Sequence, residues 1–195
     1  MNKYLLLCLL PLAACQKETE DIPQDKSLIP LAIGNTWTYD NKAYNADGSY
    51  CCSEQNTTWK VYGKSSREGF FILDESGEEQ LFSSAEKIIN YLPEEGGSEL
   101  EFRKVNKIDT FDIHNYDDGY KLVSVAFPGN YLIETHNCLM NEYLMYDDQG
   151  NLYSKDVHYV EPGLGYIRME YYYADENGDL KLDMREDLLS YELKN

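Results

Sequence analysis

The sequence predicts a mostly β domain, a single antiparallel meander sheet curved into a half-barrel or barrel-like shape. Short runs such as Thr57–Tyr62 and Glu99–Val105 alternate apolar and polar residues, and this period of two is typical of half-buried strands. Turn dipeptides such as Asp47-Gly48 and Pro128-Gly129 separate the runs, and no long segment has a helical period. Residues 138–146 could form a short helix, although the turn residues after them favour a hairpin.

The folded domain begins near residue 28 with an apolar segment, a turn and a strand. Gly34 and Asn35 tolerate the positive φ that a tight turn requires. Residues 36–39 then alternate β-branched and aromatic side chains, which suit a pleated sheet. We therefore expect Trp37 to be the first large side chain of the core.

A short apolar segment precedes a cysteine at the N-terminus. Lys3 supplies a positive charge and residues 4–12 are almost purely apolar, but a permanent membrane span needs about 20 residues. The segment ends in Leu12-Ala13-Ala14-Cys15, which resembles the lipobox of bacterial lipoproteins. The resemblance implies that residues 1–14 are a signal peptide and that Cys15 carries the acyl chains, such as palmitate, that anchor the protein. The alternative is an ordinary cleaved signal in which Cys15 follows two alanines by chance.

Residues 15–27 are polar and lack hydrophobic periodicity, which is typical of a disordered tether. Residues 28–195 then form one β-rich domain. In the lipoproteins that this segment resembles, an aspartate directly after the lipidated cysteine favours retention at the inner membrane. This chain has Gln16 at that position, which argues against such retention. The Lys17-Glu18 start resembles the export signal of Bacteroidota-type surface lipoproteins. We expect a lipid-anchored protein of the outer membrane, at its cell-surface or its periplasmic face.

The chain is strongly acidic, with 35 Asp and Glu against 17 Lys and Arg and a net charge of −18. Such a surface repels phosphate backbones and anionic headgroups. Nucleic acid is therefore excluded as a partner, whereas cations and neutral polymers are compatible with the charge. The 18 tyrosines each combine an apolar ring with a polar tip, which serves strand packing and sugar-binding faces alike.

A late motif, Glu161-Pro162-Gly163-Leu164-Gly165, precedes a tyrosine-rich strand. Together with the early Gly34-Asn35-Thr36-Trp37-Thr38-Tyr39, it resembles uncharacterised Bacteroidota-type outer-membrane or surface lipoproteins. Some of these look like the curved half-barrel sheets of lipoprotein carriers, and no activity comes with the resemblance. Because glycine allows a sharp bend or a close backbone approach, we expect Gly163 and Gly165 to bend the late strand over Trp37.

Three cysteines follow Cys15, at positions 51, 52 and 138. Thiols in an oxidising envelope tend to pair, although three cannot all do so. A bond from Cys51 or Cys52 to Cys138 would close a long loop, whereas a Cys51–Cys52 bridge would be strained. No Cys-x-x-Cys motif or nearby histidine supports metal binding by these thiols.

The acidic segment 175–186 has the spacing of a calcium loop. Oxygen-bearing side chains stand at positions 1, 3, 5, 9 and 12 of it, but Leu180 occupies position 6, where an EF-hand needs glycine. A hairpin turn at Asn177-Gly178 is favoured, because segments 146–152 and 173–180 share this turn chemistry. Calcium binding by this segment stays open.

No set of residues indicates catalysis. His114, His136 and His158 lie far apart in the sequence and lack the spacing of metal ligands. No nucleophile, base and orienting group can be assembled, so we predict no catalytic residue, no metal and no cofactor. The expected function is a non-catalytic module that binds a protein, glycan or lipid. The alternatives are a carrier that holds an apolar ligand in a curved sheet and, more weakly, an envelope hydrolase.

Overall fold

Fourteen strands in two antiparallel sheets make up the part of the chain that the computed structural model describes, residues 27–73, 75, 79–92 and 98–194. Sheet A has nine strands: β1 (Thr36–Tyr44), β2 (Tyr50–Ser53), β3 (Thr57–Lys60), β9 (Asp109–Asn115), β10 (Lys121–Ile133), β11 (His136–Tyr146), β12 (Leu152–Glu161), β13 (Gly165–Ala174) and β14 (Leu180–Glu192). Sheet B has five: β4 (Gly63–Lys64), β5 (Phe71–Ile72), β6 (Gln80–Ser83), β7 (Lys87–Leu92) and β8 (Ser98–Arg103). Sheet A runs in the order β2-β1-β14-β13-β12-β11-β10-β9, and β3 also pairs with β1.

The mostly β fold class and the antiparallel pairing predicted from the sequence are confirmed. The described residues contain no helix, and residues 138–146 belong to β11. Sheet A does not close into a barrel, because its edges are β9 on one side and β2 with β3 on the other. The expected single sheet is divided in two because β14 occupies one side of β1, and β2 and β3 occupy the other. The chain after β3 therefore finds no free edge on β1, and its five short strands hydrogen-bond to one another.

The chain does not turn at Pro128-Gly129, so the hairpin predicted there is wrong. β10 continues through both residues, with a shift of register against β11 between Phe127 and Tyr131. Proline has no N–H to donate, and Gly129 has a φ of 101°, so the dipeptide produces an irregularity of the bulge type within one strand. The chain turns only at residues 134–135.

The hydrophobic core lies between sheet B and one half of sheet A. Sheet A contributes Trp37, Tyr39, Val160, Tyr166 and Met169; sheet B contributes Leu81, Ile88 and Phe102; the entry segment, residues 27–35, contributes Leu28 and Ile29. We call the face of sheet A that carries these side chains its inner face. In β1 the buried residues alternate with half-buried ones, because successive side chains of a strand point to opposite faces.

The early and late motifs are in direct contact at this core. The indole Nε1 of Trp37 donates a hydrogen bond of 2.8 Å to the carbonyl of Leu164. A Cβ on Gly165 would lie 3.4 Å from that nitrogen and 3.5 Å from Cγ1 of Ile29, at a φ of +116° that favours glycine. The N–H of Gly163 donates to the carbonyls of Ser27 and Leu28, at 3.1 and 3.2 Å. The late motif therefore contacts both the first strand and the entry segment.

The turn at Gly34 fixes the start of β1. Gly34 has a φ of 92°, and its N–H donates to the carbonyl of Val61 at 2.8 Å. The side-chain oxygen of Asn35 accepts a hydrogen bond of 2.7 Å from the N–H of Lys194. The start of the domain is thus held both to the chain after β3 and to the end of β14.

The two ends of sheet A carry different segments of the chain. The end at which residue 27 enters, the proximal end, carries the entry segment, residue 194 and the turns at residues 134–135 and 162–164. The opposite, distal end carries four turns, at residues 45–49, 116–120, 147–151 and 175–179. Strands of about ten residues separate the two ends by about 30 Å.

Gly165→Ala should destabilise the domain in a way that depends on Trp37. The new Cβ adds backbone strain of about 1–3 kcal/mol at this φ, and Trp37→Ala removes a buried ring at a cost of about 3–5 kcal/mol. Because the two side chains would touch, the double variant should deviate from additivity by more than ~0.5 kcal/mol. Chemical denaturation of the two single variants and the double variant measures this coupling.

Gly129→Ala is the matched control, because Gly129 has a similar φ of +101° and a Cβ added there would meet no atom within 4 Å. It should cost stability but add to Trp37→Ala without coupling. Strict additivity of Gly165→Ala with Trp37→Ala would show that the contact between the two motifs carries no energy of its own.

Candidate functional site

The inner face of sheet A continues beyond the core toward the distal end. Along β13, Tyr173 alternates with Tyr171, which packs against the core, and with the core residue Met169; Tyr120 alternates with the buried Leu122 at the start of β10. Tyr173 and Tyr120 therefore lie on the inner face, yet neither belongs to the hydrophobic core cluster. This part of the inner face is the candidate site.

Three tyrosines cross the distal part of the inner face in ring contact, and we call them the tyrosine ladder. The ring centroids of Tyr120 and Tyr153 are 6.0 Å apart with planes at 82°. Those of Tyr153 and Tyr173 are 6.1 Å apart with planes at 77°. Tyr153 and Tyr173 are each 45% exposed. These are edge-to-face pairs, which aromatic rings prefer to a face-to-face stack, and they leave ring surface open to solvent.

Two acidic turns with the same hydrogen-bond pattern flank the ladder. Oδ1 of Asp147 accepts hydrogen bonds from the N–H groups of Gln149 and Asn151, at 2.9 and 2.7 Å. Oδ1 of Asp175 accepts from those of Asn177 and Asp179, at 2.8 and 3.0 Å. The shared hairpin chemistry predicted for segments 146–152 and 173–180 is confirmed.

Hydrogen bonds hold the carboxylates of both turns in the ionised form. The pKa of Asp147 is lowered mainly by its bonds to the side chain and N–H of Asn151. The pKa of Asp175 is lowered mainly by its bonds to the N–H groups of Asn177 and Asp179. These donors favour the charged form, so the rim of the site is negative at neutral pH.

Open grooves lie on both sides of turn 147–151. A groove of about 590 Å³ separates turn 147–151 from turn 175–179, with Tyr153 and Ala174 among its lining residues. A groove of about 380 Å³ lies between turn 147–151 and residues 115–121. Both volumes fall within the range of ligand sites, about 300–1,000 Å³.

Between the ladder and the core lie Asp156, Tyr171 and Glu186. The hydroxyl of Tyr171 donates to Oε1 of Glu186 at 3.4 Å. Burial raises the pKa of Asp156 to about 6, and burial also raises the pKa of Glu186 above its ordinary value. Together with the tyrosine ladder, these three residues form what we call the distal inner surface.

His158 lies beneath this surface and is only 6% exposed. Its ring centroid is 4.8 Å from that of Tyr143 and 5.5 Å from that of Tyr166. Neither ring nitrogen has a hydrogen-bond partner within the described part of the chain. Burial lowers the pKa of His158 to about 3, so the imidazole is neutral at physiological pH.

The structure separates the other residues that the sequence singles out. Cys51 and Cys52 are exposed on β2, whereas Cys138 is buried on β11, and all three are free thiols. Four strands lie between β2 and β11 in sheet A, so no Cys138 disulfide to either residue is present. Cys15 and the predicted signal peptide and tether, up to residue 26, lie outside the described residues.

The acids of segment 175–186 do not converge on a common centre. Residues 175–179 form a turn, and the remaining acids follow along β14, where Glu186 pairs with Asn41 and Met169 on the inner face. Among the described residues, no group of three or more His, Cys, Asp or Glu side chains could hold a metal ion. His114, His136 and His158 are also apart: Nδ1 of His136 contacts Oε2 of Glu161 at 2.6 Å, and His114 is exposed on β9.

Two solved structures share this fold. One is a candidate exported protein of Bacteroides fragilis with a YmcC-like fold, 12% identical, aligned over 86% of this chain and 100% of its own, with a TM-score of 0.52. The other is a candidate lipoprotein of Parabacteroides distasonis, 13% identical, aligned over 86% of this chain and 99% of its own, with a TM-score of 0.51. At this identity the similarity shows the fold alone.

Comparisons of sequence give no further relative: no protein-family model and no curated protein matches the chain. Nor does the described part of the chain hold a helix long and apolar enough to cross a membrane.

The buried imidazole of His158 should make the domain sensitive to acid. Its folded pKa lies below the ordinary 6.5, so the unfolded chain binds a proton first as the pH falls from about 6.5 to about 3. This group should remove about 4 kcal/mol of stability across that window. His158→Phe should abolish this loss, as measured by urea unfolding between pH 3.5 and 7.5. The exposed His114→Phe is the control, and an unchanged acid profile in His158→Phe would contradict the burial argument.

Asp156 should act in the opposite direction. Its folded pKa of about 6 lies above the ordinary value of 3.8, so the folded state binds the proton first, and this group lowers stability as the pH rises from about 4 to 6. Asp156→Asn should therefore stabilise the domain at pH 7 and lose that advantage below pH 4, in the same unfolding series. Destabilisation by Asp156→Asn at pH 7 would show that the charged carboxylate has a favourable partner.

Proposed function

We propose that this is a lipid-anchored envelope protein that acts as a non-catalytic binding module, with its anchor at Cys15 and its ligand on the distal inner surface. The lipobox-like Leu12-Ala13-Ala14-Cys15 supports the anchor. The fold shared with a candidate exported protein and a candidate lipoprotein supports an envelope location. The outer membrane is the proposed site of anchoring.

The observation that carries the proposal is the separation of chain entry from the candidate site. Residue 27 enters at the proximal end, where Ser27 and Leu28 bond to Gly163, and the tyrosine ladder lies at the distal end. An anchor ahead of residue 27 would hold the proximal end toward the membrane. The ladder and the acidic turns would then face away from the lipid, accessible to a ligand in solution or on another molecule.

The content of the inner face favours a polar ligand over an apolar cargo. Its proximal half is filled by sheet B and the entry segment, which leave the core side chains buried. Its distal half carries tyrosine hydroxyls and two half-buried carboxyl groups, Asp156 and Glu186, which an apolar ligand would have to desolvate further at a cost. A lipid carrier would need the reverse arrangement, with an open apolar half.

The same geometry favours binding over hydrolysis. Catalysis by a histidine base requires a nucleophile within hydrogen-bond reach of the imidazole. Both nitrogens of His158 are buried among tyrosine rings, and no described hydroxyl or thiol is bonded to them. His158 is therefore proposed as a packing residue. Turnover on ester or glycoside substrates that disappears in His158→Phe would overturn this assignment.

Cys15→Ser should release the protein from the membrane. The variant lacks the thiol that accepts the diacylglycerol, so it should be soluble or unprocessed and carry no acyl mass at its N-terminus. Fractionation with a carbonate wash and mass spectrometry of the N-terminal peptide measure both effects. Cys51→Ser, which changes an exposed thiol within the domain, should leave anchoring intact. A Cys15→Ser variant that still resists the wash would contradict the lipid anchor.

A ligand of this protein should act on the distal inner surface and leave the proximal end unchanged. We expect amide chemical shifts of the full chain carrying Cys15→Ser to move around Tyr153, Tyr171 and Tyr173 when a panel of alkylammonium ions, oligosaccharides and a fluorescent fatty acid is titrated. Tyr191 is the control, because it is a tyrosine of comparable exposure, 53%, at the proximal end of β14. Shifts confined to the surroundings of Tyr191, or to the outer face, would reject the distal inner surface as the binding site.

A further inference from the structure

We infer that the ligand of the distal inner surface is an organic cation, an alkylammonium group held against the tyrosine ladder and surrounded by the acidic turns. This inference rests on the proposed function and adds the chemical class of the ligand. Three observations carry it: the angles between the ladder rings, the charges around them, and the way in which the chain's own cations are already paired.

The ladder forms two successive corners of aromatic ring. Planes at 82° and 77° with centroids 6.0 and 6.1 Å apart mean that each neighbouring pair presents the face of one ring beside the edge of the other. A compact cation in such a corner can lie within about 6 Å of more than one centroid, the distance at which the negative ring face attracts it. A flat sugar ring would instead need one broad, open ring face to stack on.

The groove beside Tyr153 is surrounded by negative charge. Turns 147–151 and 175–179 contain five acids. Two lysines lie near them: Nζ of Lys181 is 3.9 Å from Asp175 and 4.0 Å from Asp179, and Lys121 lines the neighbouring groove with Asp147 and Asp148. The carboxylates of Asp147 and Asp175 are kept ionised by their turns. This field attracts cations and repels phosphates and carboxylates, so an anionic ligand is disfavoured.

The chain places its own cations on aromatic rings elsewhere, but not on the ladder. Nζ of Lys155 lies 4.7 Å from the ring centroid of Tyr172, which is adjacent to Tyr173 in sequence and therefore on the outer face of β13. Lys42, Arg168 and Arg185 all bond to Asp187. Among the described residues, no lysine or arginine lies over the rings of Tyr120, Tyr153 or Tyr173. The ladder thus keeps its cation-binding ring faces unused within the chain.

A weakly hydrated ammonium fits these features better than a metal ion. Tyrosine rings compete with water for an alkylated ammonium, which holds its hydration shell loosely, whereas hard metal ions need several converging oxygen ligands. The described residues provide no such converging group. Quaternary ammonium is therefore the form of cation for which the ladder should show its highest affinity.

Choline and its neutral isostere 3,3-dimethylbutan-1-ol test this inference, because the two molecules differ by a carbon in place of the charged nitrogen. We expect choline to bind the full chain carrying Cys15→Ser at least about tenfold more tightly, as measured by isothermal titration and by shifts around Tyr153. Tyr153→Leu keeps an apolar side chain but removes the ring face, and should weaken choline binding about tenfold. Tyr191→Leu is the matched control and should change nothing.

Substitutions in the acidic turns provide a second test of the inference. The double variant Asp148→Asn with Glu176→Gln removes two charges that have no turn hydrogen bonds of their own, and it should weaken choline binding several-fold. Raising the salt concentration should weaken binding in the parent protein more than in this variant, because salt screens exposed charges.

Equal affinity for choline and its isostere, or choline binding that survives Tyr153→Leu, would overturn the inference. So would a neutral oligosaccharide that binds at the ladder while choline does not; in that outcome the distal inner surface remains a binding site and only the ligand class is wrong. If no member of the panel shifts this surface, the proposed function fails together with the inference.

Discussion

The hydrogen bond from the Trp37 indole to the Leu164 carbonyl is the contact on which the arrangement of the domain depends. It joins the first strand of sheet A to the turn before β13 across 127 residues of chain. Gly165 allows the approach because it has no side chain between the indole and Ile29. Gly163 holds the entry segment to the same turn. One compact contact thereby joins the chain entry, the first strand and the turn before β13 at the covered half of the inner face.

The division of the inner face follows from unequal strand lengths. β10 and β14 have 13 residues each, about 40 Å of strand, whereas the strands of sheet B have two to six. Sheet B can therefore cover only part of the inner face. The covered part is a dry core, and the remaining part carries polar-tipped tyrosines that tolerate water on one side and packing on the other.

Local patterns in the sequence predict the strands and, through Gly163 and Gly165, the contact with Trp37, because both depend on backbone freedom and alternation. They do not predict the second sheet, which arises only because β14 returns to β1. They also predict a turn at Pro128-Gly129 where β10 continues, because turns and bulges favour the same residue types. Local patterns also cannot predict the tyrosine ladder, because its members come from three separate segments. Which tyrosines become neighbours depends on the register of the whole sheet. Eighteen tyrosines offer too many combinations without that register.

The pairing of β1 with β14 also has a kinetic consequence. Thr36 lies opposite Glu192, so the first strand made has no lasting partner along that side until the last one exists. Contacts so distant in sequence are slow to form because a long loop must close first. The pairing that joins β1 to the rest of sheet A therefore forms only after β14 has been made.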